Sequence, residues 1–93
     1  MRLELRLGTP IMNKFFYVYI IQSEKEPERF YTGFTESLVD RLSQHNAGSV
    51  PATKPFRPWK WKTCIAYTDR NQALAFERYL KTRSGRAFAK KRL

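Results

Sequence analysis

Clustered and alternating hydrophobic positions along the chain predict a sheet of three strands. The run from Phe15 to Gln22 is rich in aromatic and β-branched residues, which is typical of a strand buried on both faces. A second strand is predicted over residues 30–34, and the polar segment before it should reverse the chain so that the two strands pair antiparallel. A third strand fits residues 59–67, where alternation predicts one buried face carrying Trp59, Trp61, Thr63, Ile65 and Tyr67.

Apolar residues at helical spacing predict two helices with defined ends. The first follows Thr35, which is predicted as its N-cap residue, and ends at Gly48. The second begins at Asp69, where a glutamine three residues later completes a capping-box pattern, and ends near Thr82. A short basic helix is expected from about residue 84 to residue 92.

These elements predict an α+β fold in the order β-β-α-β-α-α. Such a fold is a small three-stranded antiparallel sheet flanked by helices, which cover its apolar surface. A chain of 93 residues can bury one modest core, so we expect a single domain over residues 12–93 with a basic C-terminal tail. Residues 1–11 alternate leucine with charge and then break at Gly8 and Pro10, which predicts either a frayed edge strand or a disordered leader.

The net charge of +10 lies entirely in the second half of the chain. Residues 1–46 hold six basic and six acidic side chains, whereas residues 47–93 hold twelve basic side chains and only two acidic ones. Such a field attracts polyanions, with nucleic acid first among them; acidic membrane surfaces and simple solubility are alternative explanations. The candidate nucleic-acid-binding residues are Lys54, Arg57, Lys60, Lys62, Lys81, Arg83 and Arg86.

The sequence contains few soft metal ligands and no segment apolar enough to span a membrane. One cysteine, Cys64, and one histidine, His45, are too few for an internal disulfide or a structural zinc site. The sequence contains neither a run of about 20 apolar residues nor the residue order of a secretory signal. We therefore expect a cytoplasmic protein without a membrane partner, in which oxygen atoms hold any metal ion.

An ordered set of residues resembles the GIY-YIG nuclease superfamily. The set comprises Tyr17-Val18-Tyr19, Tyr31-Thr32-Gly33, Arg41, His45 and Glu77. The segment Pro58-Trp59-Lys60, the segment around Glu77 and the tail GRAFAKKRL are also similar to small stand-alone members, so the resemblance covers about residues 14–93. Two features depart from the family pattern: Tyr17 replaces a glycine, and a late asparagine has no assured counterpart.

The resemblance implies a divalent-metal-dependent endonuclease that hydrolyses phosphodiester bonds in DNA. Its catalytic residues would be Tyr19, Tyr31, Arg41, His45 and Glu77. Glu77 would bind Mg²⁺ or Mn²⁺, because these ions keep several waters and need few protein ligands. Arg41 would bind the scissile phosphate. Tyr31 and His45 would orient the water or relay the proton. Tyr19 would be the general base, with Tyr31 as the alternative. An ordinary phenol titrates near about pH 10, so this role requires positive charge nearby.

The substrate and several residue roles have more than one explanation. So small a domain has little surface for a long sequence, which favours branched, nicked or single-stranded DNA. A non-catalytic nucleic-acid-binding module of the same fold is the alternative, and a subunit that docks through its basic tail is another. Taken singly, the tyrosines, Trp59 and Trp61 fit a packing role, and Gly33 fits a turn as well as a close approach. Glu77 and Lys81 likewise have the spacing of a helical ion pair.

Overall fold

The structure, a computed structural model, describes residues 14–93, and its elements follow the predicted order. Strands β1 (Phe16–Ser23), β2 (Phe30–Thr35) and β3 (Trp59–Tyr67) form one antiparallel sheet with β1 in the middle. The helices are α1 (Leu38–Ala47), α2 (Arg70–Leu80) and α3 (Arg83–Arg92), with a 3₁₀ turn at Lys54–Phe56. The predicted α+β fold is therefore confirmed. The predicted leader at residues 1–11 lies outside the described residues.

The central strand β1 is buried on both faces, as its composition predicted. Val18 and Ile20 pack with Ala73 and Leu80 on α2, together with partly buried residues of α3. The alternate residues Tyr19 and Ile21 pack on the opposite face, against Trp59 and the partly buried leucines of α1. The sheet thus lies between α1 on one face and α2 with α3 on the other. Between residues 14 and 93, no helix is long and apolar enough to cross a membrane.

A β-bulge in β3 contradicts the prediction of one continuous buried face. Ile20 pairs with Thr63, but the next residue, Ile21, pairs with Trp61, so Lys62 is an extra residue in β3. An extra residue reverses the alternation of side chains beyond it. Trp59 and Trp61 consequently pack on the Tyr19 side, whereas Thr63, Ile65 and Tyr67 pair with residues of the opposite face.

The first helix begins later than the sequence predicted. Ser37, and not Thr35, occupies the N-cap position of α1. Thr35 is the last residue of β2, and its hydroxyl accepts a hydrogen bond from the Ser37 backbone N–H (3.1 Å). A threonine hydroxyl that satisfies a local turn is not free to cap a helix. The predicted end is confirmed: Gly48 adopts a left-handed conformation with φ of 82°, which glycine tolerates best.

The junction between α2 and α3 is tight. Asp69 caps α2 as predicted by accepting a hydrogen bond from the Gln72 backbone N–H (3.0 Å). Helix α2 ends at Leu80, just before the predicted end at Thr82, because Thr82 caps α3 by accepting from the Gly85 N–H (3.0 Å). Gly85 is buried, and a Cβ atom there would overlap the backbone carbonyl of Tyr79.

We expect Gly85→Ala to destabilise the fold by about 1–3 kcal/mol, because the clash is with backbone atoms that cannot rotate away. Alanine has a higher helix propensity than glycine by about 1 kcal/mol, so without the clash Gly85→Ala would stabilise the protein. The sign of the change in the free energy of unfolding therefore tests the clash. Urea unfolding measures it. The exposed neighbour Ser84→Ala is the control and should stay within about 0.5 kcal/mol of the parent. A stabilised Gly85→Ala protein would contradict the packing at this junction.

Candidate active site

Three different parts of the fold bring the five predicted catalytic residues together. Tyr19 and Tyr31 lie on the paired strands β1 and β2, with ring centres 6.4 Å apart. Arg41 and His45 are one turn apart on α1, so they project from the same side of that helix. The His45 ring lies 5.1 Å from the Tyr31 ring and 5.8 Å from the Tyr19 ring, centre to centre. Glu77 comes from α2, and its charge acts on the Tyr19 phenol.

Gly33 makes room for the Tyr19 ring. It is buried in β2 directly opposite Tyr19 in the strand register. A Cβ atom at Gly33 would overlap the Tyr19 hydroxyl and the end of its ring. The absence of a side chain at Gly33 therefore allows Tyr19 to lie across β2, and close approach rather than a turn explains this glycine.

A buried chain of hydrogen bonds connects Tyr19 to the loop after α1. The Tyr19 hydroxyl lies 2.8 Å from His45 Nε2, and His45 Nδ1 lies 2.7 Å from the Thr53 hydroxyl. The Thr53 hydroxyl donates in turn to the Val50 carbonyl (3.3 Å), so it accepts from Nδ1–H. This assigns the neutral tautomer with an unprotonated Nε2. Tyr19 is then the donor to His45.

Thr53 is the site residue that the sequence did not predict. It is fully buried, and its carbonyl accepts a hydrogen bond from the Trp59 indole N–H (2.8 Å). Trp59 is therefore a core residue and not an exposed base-stacking platform. The Asn46 side chain makes two hydrogen bonds to the Trp59 backbone: its Oδ1 accepts from the N–H (2.6 Å), and its Nδ2 donates to the carbonyl (3.0 Å). No local pattern in the proline-rich loop identifies Thr53 as the partner of His45.

Burial shifts the pKa of both members of the Tyr19–His45 pair. Desolvation, followed by the neighbouring Tyr31 phenol, raises the pKa of Tyr19, and the opposing effect of Arg41 is smaller. The positive charge of Arg41 therefore favours the phenolate, but its effect is smaller than that of burial. Desolvation and then the charge of Arg41 lower the pKa of His45, which keeps the imidazole neutral near pH 7.

Arg41 has an unused hydrogen-bond donor in the site. Its Nε atom is buried and, within residues 14–93, has no hydrogen-bond partner. A buried donor without a partner costs about 1–3 kcal/mol in the free protein. An anionic ligand such as a phosphate would recover that cost, because guanidinium groups bind phosphate oxygens with several donors.

Glu77 is both a site residue and the partner of an ion pair. Its carboxylate is 15% exposed, and Oε2 lies 2.6 Å from Lys81 Nζ, one turn further along α2. In the described part of the chain, no group of three or more His, Cys, Asp or Glu residues could hold a metal ion. A single carboxylate beside open solvent nevertheless fits Mg²⁺ or Mn²⁺, which retain water ligands and add substrate oxygens.

The basic residues predicted to bind nucleic acid lie in separate regions. Lys81 belongs to the site, since its Nζ lies 5.7 Å from the centre of the Tyr31 ring. Lys62 and Arg86 join it in lining an open groove of about 990 Å³, which also contains the half-exposed Phe30.

The other basic candidates do not line that groove. Lys54 begins the 3₁₀ turn next to Thr53, and Arg57 follows that turn, where its Nε donates to the Lys54 carbonyl (2.9 Å). Lys60 and Arg83 are exposed on β3 and at the start of α3.

The family model described as the GIY-YIG catalytic domain matches residues 15–92, and the chain belongs to this family. The predicted membership in the GIY-YIG family is therefore confirmed, and the matching model describes the catalytic domain of that family. The chain is similar to proteins described as structure-specific endonuclease subunit SLX1. That of Debaryomyces hansenii is 37% identical over an alignment of 83 residues, which covers 81% of this chain and 24% of the relative. The relative from Scheffersomyces stipitis is 38% identical over an alignment of 74 residues, which covers 72% of this chain and 22% of the relative.

The relative from Meyerozyma guilliermondii is 41% identical over an alignment of 76 residues, which covers 72% of this chain and 25% of that protein. The chain thus spans about a quarter of the length of these curated relatives.

We expect the stability of the protein to fall as the pH drops below 6.5, the ordinary pKa of histidine. The folded state lowers the pKa of His45, so the unfolded chain binds a proton more readily. The stabilisation is complete above pH 6.5 and is lost as the pH falls through the lower pKa of the folded state. Urea unfolding between about pH 7 and about pH 5.5 measures this loss above the usual range of carboxyl titration.

His45→Gln is the matched control, since the chain has one histidine. Its unfolding midpoint should be lower at neutral pH, because the Tyr19 and Thr53 contacts are altered, but nearly constant over the same pH range. Equal pH dependence in both proteins would show that His45 is not the titrating group.

Proposed function

We propose that this domain is a divalent-metal-dependent endonuclease that hydrolyses phosphodiester bonds in DNA. The observation that carries the proposal is the buried Tyr19–His45–Thr53 hydrogen-bond chain, together with the unpartnered buried donor of Arg41, whose charge acts on both Tyr19 and His45. If these residues only packed the core, neither the buried hydrogen-bond chain nor the unpartnered donor of Arg41 would be needed. Membership in a catalytic-domain family and the names of the relatives support the same conclusion.

The scissile phosphate would bind at Arg41. The free Nε and the terminal nitrogens of its guanidinium can contact two phosphate oxygens at once. Negative charge on these oxygens increases in the transition state, so the contact strengthens as the reaction proceeds. The guanidinium stays protonated at neutral pH and therefore cannot act as the base.

Tyr19 and His45 would remove the proton from the attacking water together. Because burial raises the pKa of Tyr19, a free phenolate is not populated at neutral pH. Its hydroxyl instead donates to the unprotonated Nε2 of His45, so Tyr19 can accept a proton from water while passing its own proton to the imidazole. Thr53 holds the other ring nitrogen and fixes the tautomer. This arrangement favours Tyr19 over Tyr31 as the base.

Glu77 would hold Mg²⁺ or Mn²⁺, and the bound ion would supply positive charge to the phosphate and the leaving oxygen. The partly buried carboxylate would hold that charge near the two tyrosines. Its own negative charge also raises the pKa of Tyr19, which discourages loss of the phenol proton before substrate binds.

The surface around the site favours branched, nicked or single-stranded DNA. The groove lined by Lys62, Lys81 and Arg86 can contact phosphates, and the half-exposed Phe30 can stack on an unpaired base. Few residues remain to distinguish a long sequence. Action on DNA in the cytoplasm, and assembly with another subunit as the relatives' names suggest, are part of the same proposal.

We expect Glu77→Gln to abolish cleavage while leaving DNA binding nearly intact, because it removes the metal ligand's charge but keeps its shape. The assay uses labelled flap, nicked, junction, single-stranded and plain duplex DNA with Mg²⁺, Mn²⁺ or EDTA. The exposed Glu24→Gln is the control and should cleave like the parent. Cleavage by Glu77→Gln at the parent rate would refute the site. Tight binding by the parent without cleavage in either metal would indicate a non-catalytic module.

We expect Tyr19→Phe to slow cleavage by about 10²- to 10⁴-fold, the usual loss for a general base, with DNA affinity nearly unchanged. Tyr31→Phe serves as the comparison, because it removes the other phenol and keeps its ring contact with His45. Its loss should be smaller, since Tyr19 and not Tyr31 donates to His45. Single-turnover rates at saturating DNA separate the two. A larger loss in Tyr31→Phe would assign the base to Tyr31.

A further inference from the structure

Lys81 occupies the carboxylate that the proposed function assigns to the metal ion. Its Nζ lies 2.6 Å from Glu77 Oε2, a charge-assisted hydrogen bond of short length. Glu77 is mostly buried, with 15% of its side chain exposed, whereas the Lys81 side chain is 49% exposed. The Glu77 carboxylate is therefore held in place, whereas the Lys81 ammonium can move away from it.

A divalent ion and the Lys81 ammonium compete for this carboxylate. Even with the ammonium on Oε2 and the ion on Oε1, the two cations would lie close together on one group, where like charges repel in a partly buried site. Lysine has a flexible four-carbon stem, and an ion pair with a half-exposed partner contributes little stability. Displacing Lys81 is therefore the least costly way for Glu77 to accept a metal ion.

The groove next to Lys81 can receive the displaced ammonium. Lys81 borders the groove that also contains Lys62 and Arg86, and its Nζ lies near the Tyr31 ring. The Lys62 ammonium already donates to the Leu93 carbonyl (2.8 Å), whereas the described hydrogen-bonding partner of Lys81 is Glu77 alone. A phosphate entering this groove would meet Lys81 as soon as the ion pair opens.

We propose that Lys81 is an exchangeable counter-ion that couples metal binding to substrate binding. Without DNA it neutralises Glu77 and opposes the metal ion. With DNA it transfers to a backbone phosphate, which leaves Glu77 free for the metal ion. Because such coupling is reciprocal, DNA strengthens metal binding by the same factor as the metal strengthens DNA binding. This inference rests on the proposed function, and it makes Lys81 a positioning residue for the metal site.

The test measures Mn²⁺ binding by electron paramagnetic resonance, so it does not depend on activity. Lys81→Met should bind Mn²⁺ about tenfold more tightly than the parent in the absence of DNA, within the usual range of coupling between sites. Arg78→Met is the matched control: it removes one charge beside Glu77 on α2 from an exposed residue that forms no ion pair with Glu77. Its Mn²⁺ affinity should change by less than about threefold, as expected for a screened surface charge.

The second measurement uses the Tyr19→Phe background, in which DNA is not consumed. A short nicked duplex should tighten Mn²⁺ binding in that protein, and adding Lys81→Met should remove most of the effect. Lys81→Gln should behave in the same way as Lys81→Met, which controls for the loss of a polar group. Thermal unfolding verifies that every variant is folded.

Equal Mn²⁺ affinities for Lys81→Met and Arg78→Met would overturn the inference, as would DNA-induced tightening that survives the loss of Lys81. Metal-dependent cleavage by the parent, together with either result, would leave the proposed function intact. Absence of both Mn²⁺ binding and cleavage in the parent would overturn the proposed function and this inference together.

Discussion

The hydrogen bond between Tyr19 and His45 joins the two halves of the site. It connects the central strand to α1, and the 2.8 Å distance requires both side chains to be placed accurately. Gly33 permits this placement by leaving space for the phenol, and Thr53 completes it by orienting the imidazole. Both side chains are almost fully buried, at 2% and 1% exposure, so a misplaced polar group would be costly. The same bond that stabilises the fold also fixes the positions of the phenol and the imidazole.

Stability and chemistry share strand β1 but use opposite faces of it. Val18 and Ile20 pack against α2, whereas Tyr19 between them faces α1 and the reactive groups. Because side chains alternate along a strand, one short segment contributes to the apolar core and to the site at once. The helix α2 makes a similar double contribution, since Ala73 and Leu80 pack on the sheet and Glu77 reaches the site.

The charges of the site balance one another before any ligand arrives. Arg41 lowers the pKa of both Tyr19 and His45, whereas Glu77 raises that of Tyr19, and Lys81 neutralises Glu77. Burial dominates these effects, so the free protein keeps a protonated phenol and a neutral imidazole. A phosphate at Arg41 and a cation at Glu77 would change this balance at two points. Under the proposed function, substrate and metal, and not the protein alone, would therefore create the reactive state.

The sequence by itself predicted the elements, and its resemblance to a known family supplied the candidate site residues. The composition of residues 15–22, the cap at Asp69 and the glycine at Gly48 act through local dihedral preferences and neighbouring hydrogen bonds, and the structure agrees with each. The five candidate residues from Tyr19 to Glu77, which the family resemblance implied, lie near one another in the structure.

Only the tertiary structure decided the features that depend on distant partners. The bulge at Lys62 arises from pairing with β1 and reverses the faces of β3, which no alternation within residues 59–67 reveals. Thr53 contacts His45 because the loop after α1 brings its hydroxyl to His45 Nδ1. The raised pKa of Tyr19 follows from its burial. Local patterns encode the period of an element, whereas register, burial and electric field are properties of the packed whole.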